Sequence, residues 1–206
     1  MPNTTALLPS LILAVSKAIE TNAVELTALD QAIGDGDHVD NLKRGIQALA
    51  AQCEALSLLD WQAALQKIGM TVMSSIGGAS GSLYGTLFIA MSKNVQNQPL
   101  TITAFADAFL KAVEAVKQRG KADKGEKTML DVLIPVAEVL HESATQPDVL
   151  DKVKQTAIAG AEATRDMLAT KGRASFLGER SRGHIDAGAE SSQVMICAIV
   201  DVLVAI

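Results

Sequence analysis

Asp30, Asp35 and Asp37 fall within eight residues of sequence, interleaved with Gly34 and Gly36. Glycines let the backbone turn sharply, so three carboxylates can face one point. Like charges held together repel unless a cation neutralises them. Hard oxygen donors of this kind suit Mg²⁺, which takes a few carboxylates and fills its shell with water and phosphate oxygens. An EF-hand loop is the obvious competitor, and it fails. Counted from Asp30, the position that needs glycine holds Asp35, and the position that needs glutamate holds Asn41. The bland alternative is a solvated Asp-Gly turn.

Two further stretches could act on anions. Gly77-Gly78-Ala79-Ser80-Gly81-Ser82 precedes a helical pattern expected to begin at Leu83. Small residues let backbone N–H groups approach a phosphate, and a helix N-terminus favours negative charge. No Gly-Lys-Ser/Thr follows and no strand precedes, so neither a Walker A loop nor a dinucleotide fingerprint fits. The alternative is close packing of two helices. From Lys171 to Gly188, Arg173, Arg180 and Arg182 join Lys171 in a glycine-rich run. Such cations can grip phosphates or an acidic partner, or simply lie in an exposed loop. A metal site, an anion cradle and a cationic loop are the parts phosphoryl transfer needs. No Ser–His–Asp or Cys–His arrangement accompanies them, which argues against a covalent hydrolase.

The elements that must position these residues read as helices. Aromatics make up 3% of 206 residues, while Ala, Leu, Ile and Val abound, a mixture suited to helix-on-helix packing. Apolar spacings of three and four recur almost throughout. They run from Leu11 to Ile19, Leu42 to Leu56, Leu65 to Val72, Leu83 to Val95 and Phe105 to Val116. They resume from Leu130 to Leu140, Val149 to Leu168 and Glu190 to Val204. Expected caps are Asn22 (with Glu25), Asp60 and Thr103. The fold class is all-α: a single-domain antiparallel bundle of about eight helices over residues 1–206. Four segments break the pattern: 34–39, 76–81, 120–128 and 171–188. If the helices alternate up and down, these breaks meet at one end.

The formal charge of −5, with no basic tract, argues against nucleic acid as a ligand. Cys53 and Cys197 read as two reduced core thiols, which fits a cytoplasmic protein. The apolar stretch from Leu7 to Val15 is too short to span a membrane and lacks a basic leader.

Four motifs in register carry a resemblance. They are Gly34-Asp-Gly-Asp-His38 with Asn41 and Arg44-Gly45; Ser75-Ile-Gly-Gly-Ala-Ser-Gly81 with Tyr84-Gly85-Thr86; Arg119-Gly-Lys-Ala122 with Lys127-Thr-Met-Leu-Asp131; and Lys171-Gly-Arg-Ala-Ser-Phe-Leu-Gly-Glu-Arg-Ser181 with Gly183-His184 and Asp186. Over nearly the whole chain they resemble the L subunit of bacterial dihydroxyacetone kinases. The resemblance implies an all-α barrel of about eight helices with a nucleotide at one end. It implies ADP/ATP held through two Mg²⁺ ions, with Asp30, Asp35 and Asp37 as ligands. It places nucleotide contacts at His38, Val39, Asp40, Asn41, Ala79, Ser80, Gly120, Met129, Arg173, Asp186, Ala187 and Gly188. It assigns no catalytic side chain to this subunit.

The implied partners are a K subunit that holds dihydroxyacetone and a phosphohistidine-carrying M-type subunit of the sugar phosphotransferase system. A homodimer stays open; nucleic acid and membrane are not expected. A stand-alone L part of this length fits the phosphoenolpyruvate-driven, multi-subunit version. Val39, Asp40, Ser82 and Ala187 depart from the usual family pattern. Three other readings compete: an ADP-loaded regulator contacting a transcription factor, a kinase subunit for another hydroxylated substrate, and a nucleotide-free helical bundle.

Overall fold

The computed structural model describes residues 4–95 and 100–206. Among them are ten α-helices and no strand. In order they are α1 (Leu8–Thr21), α2 (Ala23–Ile33), α3 (His38–Ala50), α4 (Cys53–Ser57), α5 (Trp61–Ser75), α6 (Gly78–Asn94), α7 (Ile102–Gly120), α8 (Leu130–Ser143), α9 (Val149–Ala163) and α10 (Ala187–Val204). Short 3₁₀ turns cover Thr4–Leu7, Thr164–Asp166 and Arg173–Ser181.

Eight of these helices close into a barrel. α1 packs on α3, α3 on α5, and each helix from α5 to α10 on the next; α10 returns to α1. α2 and α4 are connecting pieces. The apolar stripes read from sequence face inward: Leu42 and Ile46 of α3, Leu65 and Val72 of α5, Leu87 and Met91 of α6, and Val113 and Val116 of α7 are buried. Burying each such side chain contributes roughly 1.5–3 kcal/mol, so the stripes and not intrinsic propensity hold the helices. An apolar cavity of about 260 Å³ remains among them, bordered by Leu65, Leu87, Phe109 and Leu133. α10 is long and apolar enough to cross a membrane by length and composition, but here it packs against α1, α2, α8 and α9.

Helix ends depart from expectation in several places. Asp60 does cap α5, accepting from the Ala63 N–H at 2.7 Å. Asn22 does not cap α2. It is the single residue between α1 and α2, and its side-chain amide donates back to Ala18 O at 2.8 Å. α7 starts earlier than expected: Thr101, not Thr103, accepts from the Ala104 N–H at 3.1 Å. The run from Leu42 to Leu56 breaks at residues 51–52 into α3 and α4. α9 stops at Ala163 instead of reaching Leu168. α6 begins at Gly78, so the glycine-rich stretch is its first turn and not a preceding loop. Cys53 and Cys197 are free thiols, half-buried and not fully in the core.

Candidate functional site

The four segments that break the helical pattern all open onto one cavity of about 560 Å³ at one end of the barrel. The connections α2–α3, α5–α6, α7–α8 and α9–α10 all land at this end. Asp30 sits in the last turn of α2 and is buried; Asp35 and Asp37 follow in the tight link to α3. One oxygen from each of the three carboxylates lies within 4.8 Å of the others. That spacing and the all-oxygen donor set fit Mg²⁺. The Asp30 carboxylate is anchored by the His38 backbone N–H, which donates to Oδ2 at 3.0 Å. Gly34 is required beside it, because a β-carbon there would stand 2.0 Å from Asp30 Oδ1.

Helix N-termini converge on the same space. His38 opens α3, Gly78 to Ser80 open α6, Leu130 opens α8, and Ala187 and Gly188 open α10; all line the cavity. Each brings N–H groups without intrahelical partners and the positive end of a helix dipole. Two of these ends are joined through His38. Its Nε2 lies 2.8 Å from Ser191 Oγ and its Nδ1 lies 3.3 Å from Ser80 Oγ. Ser191 Oγ donates its proton to Gly188 O at 3.1 Å. A neutral ring that donates from Nε2 to Ser191 and accepts at Nδ1 from Ser80 satisfies these contacts. Burial pushes the imidazole below its ordinary pKa, against the pull of Asp30 and Asp37, so the ring favours the neutral form this pattern needs. Tyr84 and Ser192 extend the network, with their hydroxyls 2.8 Å apart and Ser192 also donating to Gly188 O.

Asp186 caps α10, accepting from the Ala189 N–H at 2.8 Å. Burial pushes its carboxyl up to about 6, against the nearby Lys127 ammonium. Across the cavity, Arg173 Nη1 pairs with Asp35 Oδ2 at 2.7 Å. Arg119 Nε donates to Ser82 Oγ at 2.8 Å, tying the end of α7 to the first turn of α6.

Of the residues singled out from sequence, Asp30, Asp35, Asp37, His38, Asn41, Ala79, Ser80, Gly120, Met129, Arg173, Asp186, Ala187 and Gly188 line this cavity. Val39 and Asp40 do not. With α3 starting at His38, residues 38 and 41 share a face, and each intervening residue turns about 100° further round. Val39 is buried in the core and Asp40 is exposed, so only their backbone reaches the first turn. Arg180 and Arg182 also lie off the cavity; Arg182 pairs with Glu179 at 2.9 Å. Lys171, one of the cations of the late run, lines the cavity, and so do Arg119, Lys127 and Thr128, which stand in the third motif but were given no contact of their own.

Fold and cavity define an all-helical barrel with a carboxylate cluster and four helix N-termini at one end. The chain belongs to the DAK2 domain family, which matches residues 32–201. It is 42% identical over 181 residues to the PEP-dependent dihydroxyacetone kinase 1, ADP-binding subunit DhaL, of Listeria innocua, covering 88% of each chain. It is 42% identical to the corresponding Escherichia coli subunit, covering 85% of this chain and 86% of that one. A solved structure, the dihydroxyacetone kinase from C. freundii in complex with AMP-PNP and Mg²⁺, superposes with a TM-score of 0.72 at 25% identity. That match covers 95% of this chain and 34% of the longer C. freundii chain.

Proposed function

We propose that this chain is the ADP-binding subunit of a phosphoenolpyruvate-dependent dihydroxyacetone kinase. It carries the nucleotide with two Mg²⁺ ions and passes a phosphoryl group to dihydroxyacetone on a separate K subunit in the cytoplasm. A phosphohistidine-carrying M-type subunit recharges it. The observation that carries this reading is the meeting, in one cavity, of three carboxylates within 4.8 Å and the glycine-rich first turn of α6. Kinship with ADP-binding subunits over nearly the whole chain supports it.

Asp30, Asp35 and Asp37 hold the metal. The N–H groups at the starts of α3, α6 and α10 bind phosphate oxygens, and Ser80 is held in place by His38. Arg173 offers a planar fork of donors to the transferring phosphate. Bound Mg²⁺ and nucleotide supply charge neutralisation and the phosphoryl carrier, which is most of what such transfer requires. The cavity's apolar side, from Leu83, Met129 and Leu130, suits a base.

Two experiments test the reading. Mass analysis of nucleotide released by denaturing the purified chain is expected to show ADP or ATP. Reconstitution with K and M subunits is expected to phosphorylate dihydroxyacetone from phosphoenolpyruvate. Nucleotide release without transfer would point to the regulatory reading instead. Release of no nucleotide, with no binding of added Mg–ADP, would leave only a helical bundle.

A further inference from the structure

Lys127 borders the cavity, yet it is 1% exposed and its backbone stands at φ 61°, a left-handed conformation that residues with a β-carbon rarely adopt. A lysine beside a phosphate-sized space is first read as a phosphate grip. Its contacts leave no donor for that task. An ammonium has three N–H donors, and Nζ meets three main-chain carbonyls: Thr164, His184 and, at 3.5 Å, Arg165. Those carbonyls come from both ends of the late segment. Thr164 and Arg165 lie where the chain leaves α9, and His184 lies where it returns towards α10. The same ends are bonded directly: the Gly183 N–H donates to Arg165 O at 2.8 Å, and the Asp186 N–H to Thr164 Oγ1 at 3.0 Å.

The strained turn that presents Lys127 is itself held. The buried Asp131 carboxylate accepts from the N–H groups of Gly125 and Thr128, at 2.5 and 2.8 Å. One residue earlier, Glu126 braces the same segment, accepting from Thr170 Oγ1 at 3.0 Å and pairing with Lys171 at 3.4 Å.

We propose that Lys127 is a positioning residue: it clasps the two ends of segment 164–186 together and so fixes Asp186, Ala187 and Gly188 where the nucleotide binds. The clasp is read from geometry alone; the ligand it serves rests on the function proposed above. Removing the ammonium takes its donor from His184 O and one of two donors from Thr164 O and Arg165 O, leaving only the direct bonds between the two ends to hold the start of α10 to the end of α9.

The test uses the full chain with Lys127→Met, at a temperature where it is folded. Amide hydrogen exchange is followed at Gly183 and Asp186, and Mg–ADP affinity by calorimetry. Loss of hydrogen bonds to a charged group is expected to speed exchange at both amides and to weaken Mg–ADP binding, each by about tenfold or more, with α5 and α6 unchanged. Lys127→Arg, which keeps cationic donors, is expected to recover part of both effects. Faster exchange with unaltered affinity would reduce Lys127 to a structural prop and overturn the proposal. Weaker affinity with unaltered exchange would make Lys127 a direct ligand and also overturn it. A wild-type chain that binds no Mg–ADP would instead sink the nucleotide reading, while exchange would still decide whether the clasp exists. If the methionine variant does not fold, Lys127→Gln, with two donors of its own, is measured in its place.

Discussion

Arg173 Nη1 stands 2.7 Å from Asp35 Oδ2, so a cation of the late segment closes onto a carboxylate of the α2–α3 link. The Arg173 side chain is 69% exposed, and a pair so solvated adds at most about 1 kcal/mol to stability. Its value lies in position, because it holds a guanidinium beside the metal-binding carboxylates. Arg173→Ala is therefore expected to leave the melting temperature nearly unchanged. It should slow phosphoryl transfer by about 2–4 kcal/mol in barrier, as loss of a positioned donor does elsewhere. Protease cleavage within 171–188 should also become less sensitive to Mg–ADP. A wild-type rate, with cleavage protected as before, would remove Arg173 from the mechanism.

Asp35 and Asp37 are exposed and help to build no core. Asp35→Asn and Asp37→Asn should each abolish nucleotide retention while helical circular dichroism stays at the wild-type level. Nucleotide content after gel filtration is the measurement. Unchanged content in both variants defeats the metal assignment.

Gly34→Ala tests the same cluster through sterics. The added β-carbon would meet Asp30 Oδ1 at 2.0 Å and Asp30 O at 2.8 Å. The carboxylate is the softer of the two and must swing away, breaking its bond to the His38 N–H. Mg²⁺ affinity, read by calorimetry, should fall about tenfold or more, the range typical when a ligand loses its support. Equal affinity would show that Asp30 is not a ligand.

Asp186 gives a pH signature. Its carboxyl rises from an ordinary 3.8 to about 6 in the folded chain, because the protein packed around the start of α10 desolvates it although the residue is only half-buried at the cavity wall. Between those values the folded state binds more protons than the unfolded one, so this group's contribution to stability is present below about pH 4 and fades as pH rises through 6. The difference corresponds to about 3 kcal/mol. Asp186→Asn keeps a capping oxygen and carries no charge. Relative to wild type, it should be near neutral at pH 4 and gain up to about 3 kcal/mol by pH 7, read from urea midpoints. A flat difference across that range would refute the burial argument.

Ligand linkage gives a simpler check. A ligand that binds only the folded chain stabilises it by about 4 kcal/mol at a thousandfold excess over Kd. Mg–ADP should raise the melting temperature by several degrees or more, and chelation should reverse the rise. A melting curve indifferent to both would favour the nucleotide-free bundle.

Much of this was legible in the residues themselves. Spacings of three and four located the barrel helices, and the four interruptions of that rhythm turned out to be the walls of one cavity. Helix starts were harder to place. Thr101 and Thr103 are two residues apart and chemically alike, so only the folded turn shows which hydroxyl caps α7. Gly78 to Ser82 have weak helix propensity and read as loop, yet packing of α6 against α5 and α7 extends the helix through them. Val39 and Asp40 adjoin His38 in sequence, but helical rotation carries their side chains elsewhere. Lys127 was hidden most deeply. Nothing in a lysine flanked by other charges says that its ammonium will end among buried carbonyls.

The seam where α1 meets α10 joins the two ends of the chain, whereas the walls from α5 to α10 form between sequence neighbours. Neighbouring helices close short loops at little entropic cost, and the seam closes the longest one. On loop-closure entropy alone, the walls are expected to form before the seam. α10, half of that seam, also carries Ala187 and Gly188 into the cavity. A chain paused before closure thus has most of its helices but no complete place for a ligand. Ligand present during folding would act on the final step alone, drawing forward only those molecules that have already closed the ring.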